Sequence, residues 1–237
     1  LIRIDIILIS KIKASAMFKK IILTTIFTSF SFSNDYYLSF DGVDDYISIP
    51  SVTFGGDFTF LGYINFNSLD GNSNVFINGD GSNFIRLDNG GSGDDWKLGY
   101  NSQTGANHIG NSTLPYNEWS HVGVVRESGI LSFYLNGQLD GQFEETNSNI
   151  SFNTIGFRDG SWNGSLDNFS VWDIALSQSD ILEYISSPPE AATNGLEAAW
   201  KFNSGSGYTL YDHSGNQNHG ELRGLPFGGW LSLMPEI

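Results

Sequence analysis

Cysteine is absent from the 237 residues, which excludes disulfide staples, thiol nucleophiles and thiolate metal centres. Basic residues are scarce: 11 Lys and Arg stand against 26 Asp and Glu, a net charge of −15. So acidic a surface repels phosphate backbones, which makes nucleic acid a poor partner but leaves divalent cations and neutral sugars open. Catalytic signatures are missing too. The four histidines, His108, His121, His213 and His219, form no HExxH arrangement, and no serine lies in GxSxG. His213 and His219 flank SGNQN, where turn hydrogen bonding is favoured over a metal pair that lacks a third ligand. No glycine run leads from a strand into a helix as a phosphate cradle must.

Residues 1–33 have a composition of their own. Met17 opens MFKK, followed by the apolar run IILTTIFTSF and then Ser31-Phe32-Ser33, the basic, greasy and small-residue parts of a secretory signal peptide. Cleavage is expected after Ser33, with residues 1–16 lying upstream of the start. The run is too short to span a membrane, and no later segment approaches 18 apolar residues in a row. Loss of residues 1–33 removes five basic residues and one acidic, leaving six against 25, a net charge of −19 for a secreted chain. The remaining 204 residues, 34–237, suit a single domain, large enough to bury a core without a metal or disulfide.

From residue 36 onward, short alternating runs are separated by Gly, Asn, Asp and Ser clusters, the pattern of antiparallel strands joined by tight turns. Thirteen strands are expected, near YYLSF, DYISIP, DFTFLGYINF, NVFIN, NFIRLD, DWKLGYN, WSHVGVVRE, ILSFYLN, QLDGQF, TIGFR, SLDNFSVWD, GLEAAWKFN and NHGELR. In LSFYLNGQLDGQF, Asn136-Gly137 predicts a type I′ hairpin with Leu131, Phe133 and Leu135 facing the core. One short helix is expected after Ser177, which caps SQSDILEYI with Asp180 three residues on, and Pro188-Pro189 ends it. The fold class is therefore all-β, a sandwich of two antiparallel sheets with one short helix near the C-terminal third. SSPPEAATNG, 186–195, reads as a loop returning the chain to the same sandwich.

Four stretches in series, FDGVDDYISIP, NEWSHVGVVRESGILSFYLNGQLDG, IGFRDGSWNGSLDNFSVWDIALSQSDI and GLEAAWKFNSGSGYTLYDHSGNQNHGEL, resemble laminin-G-like modules of the concanavalin A-like lectin and glucanase superfamily. The resemblance covers residues 36–222. It implies a jelly-roll sandwich, usually a non-catalytic module that binds glycans or extracellular proteins, often with calcium. Glucanases of this superfamily carry a Glu-x-Asp-x-Glu strand that sets two carboxylates about 5 Å apart. No such run occurs here, and the neighbours Glu144 and Glu145 would point to opposite faces of a sheet. A glycoside hydrolase is therefore the weaker reading, beside that of a structural or adhesive surface domain. The GLEAAWKFN…HSGNQNHG segment commonly opens such modules but here comes last. It either completes this sandwich, which is favoured because unpaired sheet edges are a liability, or begins a truncated second one.

The candidate site residues fall on turns and strand ends. Asp41, Asp44 and Asp45 crowd one turn, where like charges repel unless a cation joins them; Ca2+, a hard ion that takes carboxylate and carbonyl oxygens, suits such a site. Capping of the turn by backbone N–H groups is the alternative. Asp41, Asp44 and Asp167 are the expected ligands, by analogy to the family. The acidic loops at 70–74 and 78–82 lack EF-hand spacing. Trp119, Trp172 and Trp200 sit in apolar strands and are assigned to packing. Trp96 and Trp162 follow loops, where an exposed indole stacks on the apolar face of a sugar, or else seals an end of the sandwich. Arg86, Tyr100, His108 and Arg158 would add hydrogen bonds to hydroxyl groups.

Overall fold

The computed structural model describes residues 36–67, 73–79, 83–90, 95–102, 105–146, 150–157, 162–225 and 229–232. The expected signal segment and Arg158 lie outside them. In strand numbering by chain order, one sheet runs β10 (Gln138–Glu144), β9 (Ile130–Leu135), β8 (Ser120–Glu127), β3 (Phe58–Phe66), β12 (Asn163–Trp172), β1 (Tyr36–Asp41), β16 (Trp230–Ser232), with β13 (Leu196–Trp200) also on β12. The other runs β14 (Thr209–Leu210), β15 (Gly220–Arg223), β2 (Tyr46–Phe54), β11 (Ile150–Ile155), β4 (Ser73–Asn78), β5 (Phe84–Asp88), β6 (Lys97–Asn101), β7 (Asn107–Thr113). All the pairings are antiparallel. The result is an all-β jelly-roll sandwich.

Side-chain alternation builds two cores. Phe58, Phe60, Ile64 and Phe66 of β3 meet Ile85, Leu87, Leu98 and Tyr100 of the opposite sheet in the main core, each large side chain contributing about 1.5–3 kcal/mol by its burial. The interleaved Leu61, with Val125 and Trp172, faces outward into a second cluster. That cluster is closed by the single helix among the described residues, α1 (Gln178–Ser186), through Ile181, Tyr184 and Ile185. The helix starts on a capping box: Asp180 N–H donates to Ser177 Oγ (3.3 Å) and Ser177 N–H to the Asp180 carboxylate (2.9 Å). It lies against the β9–β10 hairpin, whose turn residues Asn136 (φ 49°) and Gly137 (φ 75°) are both left-handed, as a type I′ turn requires. Leu131 and Phe133 point into the main core as the alternation predicts, and Tyr134 packs on the second.

The last segment joins both sheets, β13 pairing with β12 and β15 with β2. A buried carboxylate organises it. Asp212 accepts hydrogen bonds from the N–H groups of Ala199, Ser214 and Asn218 and from the Ser214 hydroxyl. His219 Nδ1 accepts from Asp212 N–H (3.0 Å), so this histidine serves the turn. Three strands were not among those expected: β7, β14 and β16. The polar β7 is an edge strand, held by β6 and by Asp140 of β10, whose carboxylate accepts the N–H groups of Asn111 and Ser112 across the gap between the two sheets.

Candidate functional site

The turn between β1 and β2 gathers Asp41, Asp44 and Asp45, each offering a carboxylate oxygen within 4.8 Å of the others. Gly42 at φ +84° makes the bend possible. Asp41 Oδ1 accepts Val43 N–H and Asp45 Oδ2 accepts Asp41 N–H, both at 2.8 Å, so the capping expected of the turn coexists with the cluster. Asp45 is 2% exposed, and its Oδ1 has no hydrogen-bond partner. Burial, with the adjacent Asp41 and Asp44 charges, pushes its carboxyl above the usual range, against the bond from Asp41 N–H. The turn opens onto a hollow of about 310 Å³ lined by Ser39, Asp41, Asp45, Trp230 and Leu231. Exposed or orphaned hard oxygens beside open space fit a divalent cation.

Asp167 does not join them. Asp41 pairs with Asn163 on β12, and Asp167 lies four residues further along that strand, about 13 Å at strand rise. A bulge governs its position. Leu166 and Phe169 both enter the main core although three residues apart, Asn168 takes φ +49°, and the register with β3 shifts between Asp167 and Ser170. On the other flank of β12, β1 pairs as far as Leu166 and β13 begins at Phe169. Over this break sits a cleft of about 380 Å³, lined by Tyr63, Trp119, Asp167, Asn168, Tyr184, Ile185, Ser186 and Pro188. Along its floor Asp167 faces Tyr63, which in turn faces His121, a residue that lines a smaller hollow beneath.

The aromatic expectations are corrected in two respects. Trp96 and Trp162 are 1% and 0% exposed, so neither presents a platform; they seal the sandwich. Trp96 Nε1 donates to the Tyr116 hydroxyl (2.5 Å), and the Trp162 ring meets the edges of Phe66 and Phe76. Tyr100 is fully buried, which pushes its hydroxyl far above the ordinary phenol range, the Glu145 charge adding to the effect. His108, half-buried, lies parallel to Tyr100, stacks on Phe143 (4.9 Å) and sits 3.2 Å from Glu145 Oε2. Arg86 is buried on the opposite face of the strand from Ile85 and Leu87, paired with Asp88 and donating to Asn107 Oδ1 (2.7 Å). These residues therefore divide between the two faces of one sheet and do not converge on an open groove. Trp172 and Trp200 are core, as expected. Trp119 is half-buried at the cleft instead, edge-on to Tyr37 at 5.5 Å.

Asp45, Trp230, Tyr63 and Tyr184 escaped the sequence reading as site residues. The Asp44-Asp45 doublet was the available signal for the first; the others depend on which strands become neighbours.

Among known proteins, a family model described as Laminin_G_3, concanavalin A-like lectin/glucanases superfamily, matches residues 41–182. A search of curated sequences gave no match. One similar solved structure is a protein of Bacteroides ovatus ATCC 8483 proposed to bind carbohydrate: TM-score 0.68, 21% identity, 80% of this chain and 58% of that one covered. The chain thus spans little more than half the length of that protein. A heptameric SAP-like pentraxin from Limulus polyphemus aligns at TM-score 0.54 and 19% identity, over 70% of this chain and 89% of that one. At such identities the likeness is one of fold.

Proposed function

Because the chain belongs to the concanavalin A-like lectin/glucanases superfamily, we propose that it is a secreted, non-catalytic carbohydrate-binding module whose rim holds calcium. The observation that carries this reading is the Asp41, Asp44, Asp45 cluster, in which a buried oxygen of Asp45 lacks any partner at the edge of a hollow shared with Trp230. An unpaired buried carboxylate oxygen costs about 1–3 kcal/mol or more, a penalty that a hard cation relieves. When bound, calcium offers further positions to hard oxygens, sugar hydroxyls among them. Asp41 and Asp44 supply charge, Asp45 fixes the inner side, and Trp230 gives the hollow an apolar wall for a sugar ring. The neighbour from Bacteroides ovatus supports the ligand class, and the signal-like residues 17–33 support export.

A glycan array probed with the protein, with calcium or with EDTA, tests the function, and titration calorimetry with calcium alone tests the ion. Glycan binding that EDTA weakens, together with calcium uptake lost in Asp45→Asn, is expected. Silence on the array in both conditions refutes the carbohydrate reading. Absence of calcium uptake by the unaltered protein refutes the ion. Release of reducing sugar from laminarin or a related polymer overturns the non-catalytic part.

A further inference from the structure

We propose that the cleft over the β12 bulge, between the outer face of the first sheet and the end of α1, is a second carbohydrate site that takes a neutral pyranose ring without calcium. The proposal rests on the carbohydrate-binding reading but not on the acidic rim, whose residues line a different hollow.

The size and chemistry of the walls carry it. At about 380 Å³ the cleft falls within the range of small-ligand sites. Its half-buried aromatic side chains, Tyr63, Trp119 and Tyr184, come from β3, the loop before β8 and α1, and aromatic faces match the C–H faces of a pyranose. Aromatic rings are not the whole lining, because Asp167, Asn168 and Ser186 add hydrogen-bonding groups.

The cleft also has a floor with an open polar function. Tyr63, Asn168, Tyr184 and Pro188 border both the cleft and a smaller inner hollow of about 10 Å³, room for one water or one hydroxyl. His121 lines that hollow; it is 3% exposed and its Nδ1 has no hydrogen-bond partner. The imidazole is held edge-on to Tyr63 at 4.9 Å, and Tyr63 is itself fixed by donating to the carbonyl of Ile185 (2.8 Å). A buried imidazole nitrogen beside a water-sized space can hydrogen-bond a sugar hydroxyl there, accepting or donating according to its tautomer, or reach the sugar through one water.

Charge selects the class of sugar. Among the described residues, Asp167 is the one carboxylate lining the cleft and no basic side chain does so; Lys201 borders the inner hollow. An acidic sugar would bring its carboxylate beside Asp167, whereas a neutral one offers hydroxyl donors to it.

The test uses the protein in EDTA, which silences the rim, titrated with neutral hexose tetrasaccharides and with a galacturonic acid tetramer. Binding of at least one neutral tetrasaccharide is expected, weakened about tenfold or more by Trp119→Ala. Ser186→Trp keeps the three aromatic walls, Asp167 and Asn168 and places an indole at the exposed mouth of the cleft, so it separates blocked binding from damaged folding; it is expected to abolish binding with an unchanged melting temperature. Binding that needs calcium, or that survives Ser186→Trp, overturns the second site while leaving the carbohydrate function in place. Equal affinity for the acidic tetramer overturns the neutral class. No binding with or without calcium removes the second site together with the broader reading.

Discussion

His121 is the residue from which acid sensitivity follows most directly. Burial alone lowers its pKa from 6.5 to about 4, because a charged imidazole would sit between Tyr63 and a space that holds one water at most. The unfolded chain takes up this proton as pH falls through about 6.5, whereas the folded chain stays neutral until about 4. Between those values the unfolded state binds more protons, so stability is retained above the window and lost on descending through it. At about 1.4 kcal/mol per unit the loss is about 3 kcal/mol, a large part of a typical domain's stability. Asp45 and Glu197, both raised mainly by burial, change in the opposite sense, and His213, lowered mainly by burial, in the same sense. A single acid titration would therefore mix them. Urea unfolding of the native protein and of His121→Phe, from about pH 7.5 to about pH 4, isolates the imidazole, since the phenyl ring keeps the aromatic contact and cannot titrate. The stability difference between the two is expected to shift by about 3 kcal/mol in favour of the variant as pH falls. Parallel curves would refute the buried neutral histidine.

Trp162→Ala is expected to cost about 3–5 kcal/mol in chemical denaturation, with glycan binding per folded molecule unchanged, because the ring lies wholly in the core. Asp140→Ala deprives the Asn111 and Ser112 N–H groups of their acceptor; a loss of about 1–3 kcal/mol, with faster amide exchange along β7 than along β6, would mark that carboxylate as the clasp. Gly137→Ala forces a Cβ onto φ +75° and within 2.5 Å of Leu182, so the melting temperature should fall by the equivalent of more than about 1 kcal/mol, measured by circular dichroism. An unchanged melting temperature would contradict the packing of α1 on the hairpin.

Strand existence was legible because alternation and turn chemistry agree: the Asn136-Gly137 turn and the Ser177 capping box appear where the residues put them. The polar β7 was not legible, since an edge strand can form on a partner's hydrogen bonds without an apolar face of its own. The tryptophans show the limit more sharply. Trp96 and Trp162 follow turn-rich stretches that read as surface, yet they plug the sandwich; Trp119 precedes a strand buried on both faces, where alternation carries no information about exposure. The cleft rests on a one-residue bulge at Asp167-Asn168, and nothing in SLDNFSVW other than the Leu166 to Phe169 spacing announces it. For the acidic turn, the sequence grouped Asp41 and Asp44, and the structure sets Asp45 rather than Asp167 beside them.

Tyr36 lies opposite Ser232 and Tyr46 opposite Arg223, so the earliest strands are completed by the latest. A ribosome that has released the chain only as far as α1 leaves β2 and β12 with vacant flanks, and closing loops of that span delays the productive collision. Slow maturation, and a need for protection from self-association during it, are therefore written into the order in which the strands are made.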